Sequence, residues 1–430
     1  MPTLRHDLLI PVAVIALTLV GPGSAQAAGF ALFEAGARGM GFAGAFTAQA
    51  SDPSAIFHNA AGIGFLKSKH LYLGSSFVAP FADFTGADPY PGPDRQEEQY
   101  RGIIALPTGY YTHQFSERVV FGIGAFIPFG LETRWDAGDY SGRFISQRAK
   151  LKSYAVNPTV GYRLADRLSV GAGLDLRFAS VSLRRSVPLF DPFTQRVVDV
   201  ASASLDSDTN TGIGFNLGVL ARPNDSLSIG FAYRHKVNVE FTGQADFEQI
   251  RTGNQEVDAR VAAIVPLGNQ PLTTELEFPA MASIGAAYAW EDWKGEVDVN
   301  WYQWSTFDRL ILRFPDSPQL DQVIEEQYDN SWQVRVGVER RLNETWSVRG
   351  GYYWDQSPAP TESVSPILPD ATRHGLALGG TWRHGALHLD GALWGVLGQD
   401  RSTEGRNRDG YEGTYSSNAI TFAVFLGYSF

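Results

Sequence analysis

Ser416-Ser417-Asn418-Ala419-Ile420-Thr421-Phe422-Ala423-Val424-Phe425-Leu426-Gly427-Tyr428-Ser429-Phe430 is the stretch whose reading decides the fold. From Ile420, every second residue (Phe422, Val424, Leu426, Tyr428, Phe430) is large and apolar. The residues between, Thr421, Ala423, Phe425, Gly427 and Ser429, are mostly small or polar. A period of two means a strand with one greasy face and one small-polar face. About 9–11 tilted residues cross a bilayer core, whereas a soluble strand is usually about 5–6. A strand in lipid needs hydrogen-bond partners along both edges, so the rest of the chain must supply a closed barrel. The expected fold class is an all-β membrane protein.

Composition agrees. The chain has 430 residues, 13% aromatic, with 45 Gly and no Cys, and a mean hydropathy of -0.15. Lipid-facing apolar residues diluted by a polar lumen give such values. Beyond the N-terminus no apolar run approaches 18 residues, which argues against helical spans. A net charge of -11 argues against a nucleic-acid partner. The absence of Cys excludes disulfides and thiolate chemistry. Arg5 and His6, the apolar run Leu8 to Val20, and Ala25-Gln26-Ala27 read as a secretory signal peptide over residues 1–27.

Residues 28–68 lack period-two alternation and are rich in Gly, Ala and Phe. Gly39-Met40-Gly41-Phe42-Ala43-Gly44 is formally G-x-G-x-x-G. Without a βαβ context it does not make a dinucleotide site, and the glycines suit the tight turns of a compact plug. From residue 69 to 430 alternation persists. Candidate strands cover Lys69–Phe84, Arg101–Phe115, Glu117–Trp135, Arg148–Leu164, Arg167–Arg184, Ala203–Ala221, Ser226–Gly243, Leu272–Trp290, Trp293–Phe314, Asp329–Leu342, Thr345–Ser357, Asp370–Arg383, Gly385–Leu397 and Ser416–Phe430. That is about 14, an even number, as bacterial single-chain barrels require.

Short connections such as Ala165-Asp166, Glu291-Asp292 and Asn343-Glu344 alternate with long ones such as Ser186–Ser202, Gln244–Pro271 and Pro315–Tyr328. Short periplasmic turns and long outer loops are the outer-membrane pattern, with both chain ends on the periplasmic side. Trp290, Trp293, Trp301, Trp304, Trp332, Trp346 and Trp354 fall mostly near strand ends, as interfacial girdles require. The inner face carries both signs of charge: Asp175, Arg177, Arg234, Glu296, Asp298, Arg335, Glu339, Arg349, His388 and Asp390. Facing lipid, an Arg costs about 2–4 kcal/mol near the midplane, so these residues are expected to point inward, in mutual pairs or toward a ligand headgroup.

Catalysis finds little support. His384 and His388 lie without a G-x-S-x-G or comparable context, and no H-E-x-x-H or Ca-loop pattern occurs. No catalytic residue, metal site or cofactor is assigned. One feature bears on mechanism: Ile127-Pro128-Phe129-Gly130 interrupts a candidate strand. Pro cannot donate to a ladder and belongs at edges, starts or bulges, so the wall is expected to break here, as a rim bulge or as a lateral gap. Asn157-Pro158 would add an irregularity alongside.

With these features assembled, the chain resembles the FadL-type family of outer-membrane long-chain fatty-acid transporters, which includes uptake channels for aromatic hydrocarbons. The resemblance is carried by Ala28-Gly29-Phe30, Phe57-His58-Asn59-Ala60-Ala61-Gly62, Pro128-Phe129-Gly130-Leu131-Glu132-Thr133, Leu151–Leu164, Trp301-Tyr302-Gln303-Trp304-Ser305 and Gly351-Tyr352-Tyr353-Trp354-Asp355-Gln356-Ser357-Pro358. One departure is Ala60, where the family has Pro. The resemblance implies a 14-stranded antiparallel barrel plugged by an N-terminal hatch, residues 28–68. It implies capture of a hydrophobic ligand among outer loops, then exit sideways through the kinked strand. The residues implicated are Phe30 at the hatch start, Asn59, Ala60 and Ala61 in the hatch motif, and Pro128 and Gly130 at the kink. Expected partners are fatty acids or aromatic hydrocarbons, outer-membrane lipid and lipopolysaccharide, bound by a monomer. A surface adhesin or receptor acting through its loops is the alternative, and a barrel hydrolase using His384 or His388 a third.

Overall fold

The computed structural model describes residues 29–135 and 139–430; the expected signal peptide lies outside them. The wall begins with β1 (Lys69–Gly86) and β2 (Ile104–Gln114). Next come β3, in two pieces (Val119–Phe126 and Gly130–Arg134), β4 (Arg148–Ala165) and β5 (Leu168–Asp191). Three broken strands follow: β6 (Arg196–Ser207, Asn210–Ala221), β7 (Leu227–Arg234, Val237–Gln249) and β8 (Gly268–Phe278, Met281–Trp290). Then come β9 (Trp293–Tyr302), β10 (Ser331–Arg341), β11 (Trp346–Asp355) and β12 (Arg373–His384). The last are β13 (Leu387–Gly398) and β14 (Gly413–Ser429). Each pairs antiparallel with its neighbour in sequence, and β14 returns to β1 from His70↔Ser429 to Gly86↔Gly413. The result is a closed 14-stranded barrel, with each strand paired on both sides along all or part of its length.

Alternation sets the two faces. On β14, Ile420, Phe422, Val424, Leu426 and Tyr428 are exposed on the outside, while Thr421, Ala423 and Phe425 are buried inside. On β5, Leu174 is exposed and Asp175 and Arg177 are buried. The β6–β7 ladder is irregular between Asn216↔Arg234 and Ser207↔Gly243. There Gly212 and Gly214 leave room for Val237 to pack directly on the neighbouring strand.

Three expectations need correction. The strand expected over Trp293–Phe314 ends at Tyr302. A short turn, Trp304–Thr306, follows, and then an outer hairpin of Arg309–Leu312 with Gln322–Glu325. Trp304 is consequently no girdle residue; it is buried inside the wall. The stretch expected as a long loop over Ser186–Ser202 is mostly strand, because β5 and β6 extend as a ribbon outside the apolar band.

Residues 29–66 are compact and packed against inward-facing side chains. Two short helices, Ala37–Gly41 and Ala55–His58, precede a 3-10 turn, Ala60–Phe65. Most of this segment is buried.

Candidate functional site

The β2–β3 ladder runs from Gln114↔Val120 to Gly109↔Ala125 and stops. Above that point β2 stays paired only with β1, and the upper piece of β3 pairs only with β4. The two sides meet again at the bridge Gln99↔Trp135, where Tyr100 N–H donates to the Arg134 carbonyl at 2.6 Å. The strand break covers Ile127, Pro128 and Phe129. Proline has no N–H to offer a neighbour. The outcome is a window framed by residues 104–108 on one side and 127–134 on the other.

The N-terminal segment fills that window from within. Ala31 bridges Phe129 in antiparallel register. Leu32 N–H donates to the Pro128 carbonyl at 2.9 Å, and Gly130 N–H donates to the Phe30 carbonyl at 2.9 Å. Three residues of the segment thus stand where β2 would have stood. Gly130 permits the approach: a Cβ there would lie 3.0 Å from Leu32 Cδ1. Phe30 anchors the start. Its ring lies 4.7 Å from Trp304, 5.5 Å from Phe307 and 5.9 Å from Phe129, all edge-to-face, a favoured aromatic geometry. Gly29 has φ +57, and any side chain there would collide with Trp304. Its N–H donates to Asp370 Oδ1 at 3.1 Å. Burial pushes the Asp370 carboxyl up to about 6, against the pull of Arg373.

Behind the window lies a cavity of about 270 Å³. Its walls include Leu32 and Phe33 of the segment, Leu106 of β2, Ile127, Phe129 and Leu131 of β3, and Trp394 and Val396 of β13. Arg335 and Arg373 also reach it, with Glu34 and Asp355. Arg373 Nη2 is paired with Asp355 Oδ2 at 2.8 Å. Arg335 is different: it donates to the neutral oxygens Gln333 Oε1 and Ala43 O, and its guanidinium lies 3.8 Å from the Phe33 ring centre. Among the described residues no ion pair engages it. Burial pushes the Glu34 carboxyl up, opposed by the Phe33 N–H and by Arg335 and Arg373.

The remainder of the segment is tied to the opposite wall. Asn59 Oδ1 accepts from Ala61 N–H at 3.1 Å, and Nδ2 donates to Thr47 O at 2.8 Å and to Val219 O at 3.1 Å. Ala60 is the first residue of the 3-10 turn, a position where an N–H is unpartnered anyway and proline is favoured. The turn keeps its place here with Ala. It rests on Gly171 and Gly218, directly opposite each other on β5 and β6. A Cβ on Gly171 would come within 2.3 Å of Ala60 C, and one on Gly218 within 2.2 Å of Asn59 Oδ1. Four consecutive amides dock on β9: Phe46 and Thr47 N–H on Asp298 Oδ2 at 2.9 and 3.0 Å, Ala48 and Gln49 N–H on Glu296 at 2.6 and 3.1 Å. His58 is buried between these anchors, and burial followed by Arg335 and Arg234 pushes its imidazole down to about 3.

The other inward charges mostly pair. Asp175 holds Arg177 at 2.7 Å and Arg234 at 2.8 Å. Arg349 bridges Glu339 at 2.6 Å and Asp390 at 3.6 Å. At Asn157-Pro158 β4 runs unbroken, but its pairing with β5 skips both residues; Asn157 Nδ2 donates to the Leu174 carbonyl that the proline cannot reach. His384 ends β12 and stacks on Trp382, while His388 on β13 stacks on Tyr72. They form no shared site.

The structure therefore brings Phe30, Pro128 and Gly130 together at the window and places Asn59, Ala60 and Ala61 at the far anchor. Leu32, Ala31, Trp304, Asp370 and Arg335 were not singled out for these contacts. Trp304 does fall within a stretch that carries the family resemblance, Trp301-Tyr302-Gln303-Trp304-Ser305, which was the available signal.

A family model described as "Outer membrane protein transport protein (OMPP1/FadL/TodX)" matches residues 18–430. The chain belongs to this family. It is 28% identical over 374 residues to the 47 kDa outer membrane protein of Pasteurella multocida, covering 84% of this chain and 85% of that one. It is 23% identical over 440 residues to a long-chain fatty acid transport protein of Escherichia coli, covering 97% of each. Among solved structures, a FadL homologue from Pseudomonas aeruginosa superposes with a TM-score of 0.81 at 22% identity, over 94% of this chain and 100% of that one. The Ralstonia pickettii toluene transporter TbuX gives 0.70 at 20% identity, over 93% and 99%. The barrel is a FadL-type fold in the bacterial outer membrane, from a family that transports hydrophobic compounds.

Proposed function

We propose that this family member takes up hydrophobic molecules passively, long-chain fatty acids above all, and releases them sideways into the membrane. Residues 28–68 act as a hatch. Phe30, Ala31 and Leu32 form its movable edge, Pro128 and Gly130 the sill it closes on, and Asn59, Ala60 and Ala61 the fixed mount. The observation that carries this reading is the window whose missing ladder partner is supplied by the segment's first residues. Lateral release agrees with the energetics: apolar surface gains about 25 cal/mol per Å² on leaving water, so an oily cargo gains by entering lipid and loses by entering a watery lumen.

Fatty acids are favoured over hydrocarbons by Arg335. A buried guanidinium with only neutral acceptors is a fork of donors suited to a carboxylate. The relatives whose names state long-chain fatty acid transport point the same way.

The test exploits the absence of native Cys. Ala31 and Phe129 face each other between two hydrogen bonds, an arrangement with Cα atoms about 4.5 Å apart that a disulfide can span. In the Ala31→Cys, Phe129→Cys variant, oxidation should block uptake of a labelled long-chain fatty acid, and reduction should restore it. Unchanged uptake with the cross-link formed would remove the window from the transport path.

A further inference from the structure

The outer surface beside the window carries a basic array with no counterpart on the neighbouring apolar band. On β4 the outward residues Tyr154, Val160, Tyr162 and Leu164 are apolar and exposed. Above Tyr154 the same face turns to Lys152, Lys150 and Arg148. Register extends it sideways: Arg134 on β3 lies opposite Arg148, and Arg148 lies opposite Arg184 on β5. Like charges directly opposite each other destabilise a sheet, so three arginines in one row across three strands carry a cost in the bare protein. Glu132 offsets part of it, binding Arg148 and Lys150, each at 2.7 Å. Among the described residues Arg134, Lys152 and Arg184 make no ion pair.

Depth identifies what faces them. The apolar band ends at the outward pair Tyr154↔Phe178. At a rise of about 3.3 Å per residue and a tilt of about 40°, Lys152 stands roughly 5 Å and Arg148 roughly 15 Å above that girdle. That is the headgroup layer on the side of the long loops. Guanidinium groups take phosphate oxygens in bidentate fashion, and several fixed cations suit a headgroup with more than one phosphate better than a single carboxylate.

We propose that Arg134, Arg148, Lys152 and Arg184 form a docking site for the phosphorylated saccharide headgroup of an outer-leaflet lipid, a lipopolysaccharide of the lipid A type. The bound headgroup stands at the β3–β4 upright of the window, with its acyl chains running down past Tyr154. The lipid is then the first neighbour of anything leaving through the opening. Lys152 also lines the cavity at the window, but retention of the lipid is read without transport, so failure of this site and failure of the lateral exit are separable.

The probe is bisphosphorylated lipid A added to the purified full-length protein in detergent, with retention read by native mass spectrometry. Wild type should retain it and should not retain dephosphorylated lipid A. The variant Arg148→Ser, Lys152→Ser, Arg184→Ser should lose retention by about tenfold or more, as expected for removing charge-assisted contacts. Heat-modifiable gel mobility checks that this barrel is folded. A control, Arg118→Ser, Arg340→Ser, Arg341→Ser, makes the same charge change at the opposite rim and should retain lipid A like wild type. Equal loss in the control would reduce the effect to bulk charge and overturn the site. Displacement of lipid A by a long-chain fatty acid would assign the patch to cargo, and would equally overturn it.

Discussion

Leu32 donates its backbone N–H to the carbonyl of Pro128 at 2.9 Å, so the N-terminal segment and the kinked strand complete one another's hydrogen bonding. Neither side is satisfied alone. The contact therefore rests on a small number of bonds that a local change can test.

Gly130 is the first point of leverage. A Cβ there would approach Leu32 Cδ1 to 3.0 Å, and a β-branched side chain adds more bulk. Gly130→Val should push residues 30–32 off the strand. Two hydrogen bonds at about 1 kcal/mol each correspond to amide exchange at Leu32 and at position 130 faster by about 30-fold. Exchange at wild-type rates would show that the contact tolerates the added bulk.

Arg335 should discriminate cargo by charge. In Arg335→Met, affinity for a long-chain fatty acid should fall about 10- to 100-fold, since a hydrogen bond to a charged group contributes about 1.5–3 kcal/mol. The methyl ester of the same chain should bind as before. A parallel loss for acid and ester would mean that Arg335 only supports Phe33 and Ala43, and would favour aromatic hydrocarbons as the natural cargo.

The glycine notch on the wall tests the mount. Gly171→Val overpacks a site where Ala60 already touches the backbone, and such changes typically cost about 1–3 kcal/mol. The barrel should persist, because its ladder hydrogen bonds do not involve that side chain. The turn over residues 60–65 should lift, and single-channel conductance in a planar bilayer should rise above the wild-type background. A silent bilayer recording from a folded variant would argue against this segment as the seal.

His58 sets a pH dependence. Its imidazole is pushed down to about 3 from an ordinary value near 6.5, so the docked segment binds fewer protons than the undocked one between these limits. Docking is full above about pH 6.5 and weakens as pH falls toward 3, by about 1.4 kcal/mol per unit. Asp370, pushed up to about 6, acts in the opposite sense, so comparison with His58→Gln isolates the imidazole. Limited proteolysis of residues 29–66 between pH 7 and 4 should show acid sensitivity in wild type and much less in His58→Gln. Identical profiles would assign the effect elsewhere.

The barrel was legible because lipid enforces alternation: a misplaced Arg177 or Asp175 would face hydrocarbon, so Leu174 and Leu176 must stand outside. The break at Pro128 was legible because a missing N–H cannot be hidden in a ladder. What fills the break was not. Leu32 reaches Pro128, Gly29 reaches Asp370 and Trp304 reaches Phe30 only once the wall has closed, and no local pattern records contacts across hundreds of residues. Trp304 was misplaced for the same reason: a Trp just past a strand looks like a girdle residue until the chain turns inward at Gln303. For the inner charges, orientation could be inferred but partners could not, because Asp175 chooses Arg234 through three-dimensional neighbourhood.

The opening between β2 and β3 is stitched at both ends, by Gly109 opposite Ala125 below and by Gln99 opposite Trp135 above. A slit secured in this way cannot run like a zip, and the nine residues left free on each side, roughly 30 Å at 3.3 Å per residue, bound its length. The wall is therefore interrupted at one spot, with pairing on both sides of it to hold it against unravelling. Under the proposed lateral route, such a slit would pass a slender molecule and turn away a bulky or branched one of equal greasiness by shape.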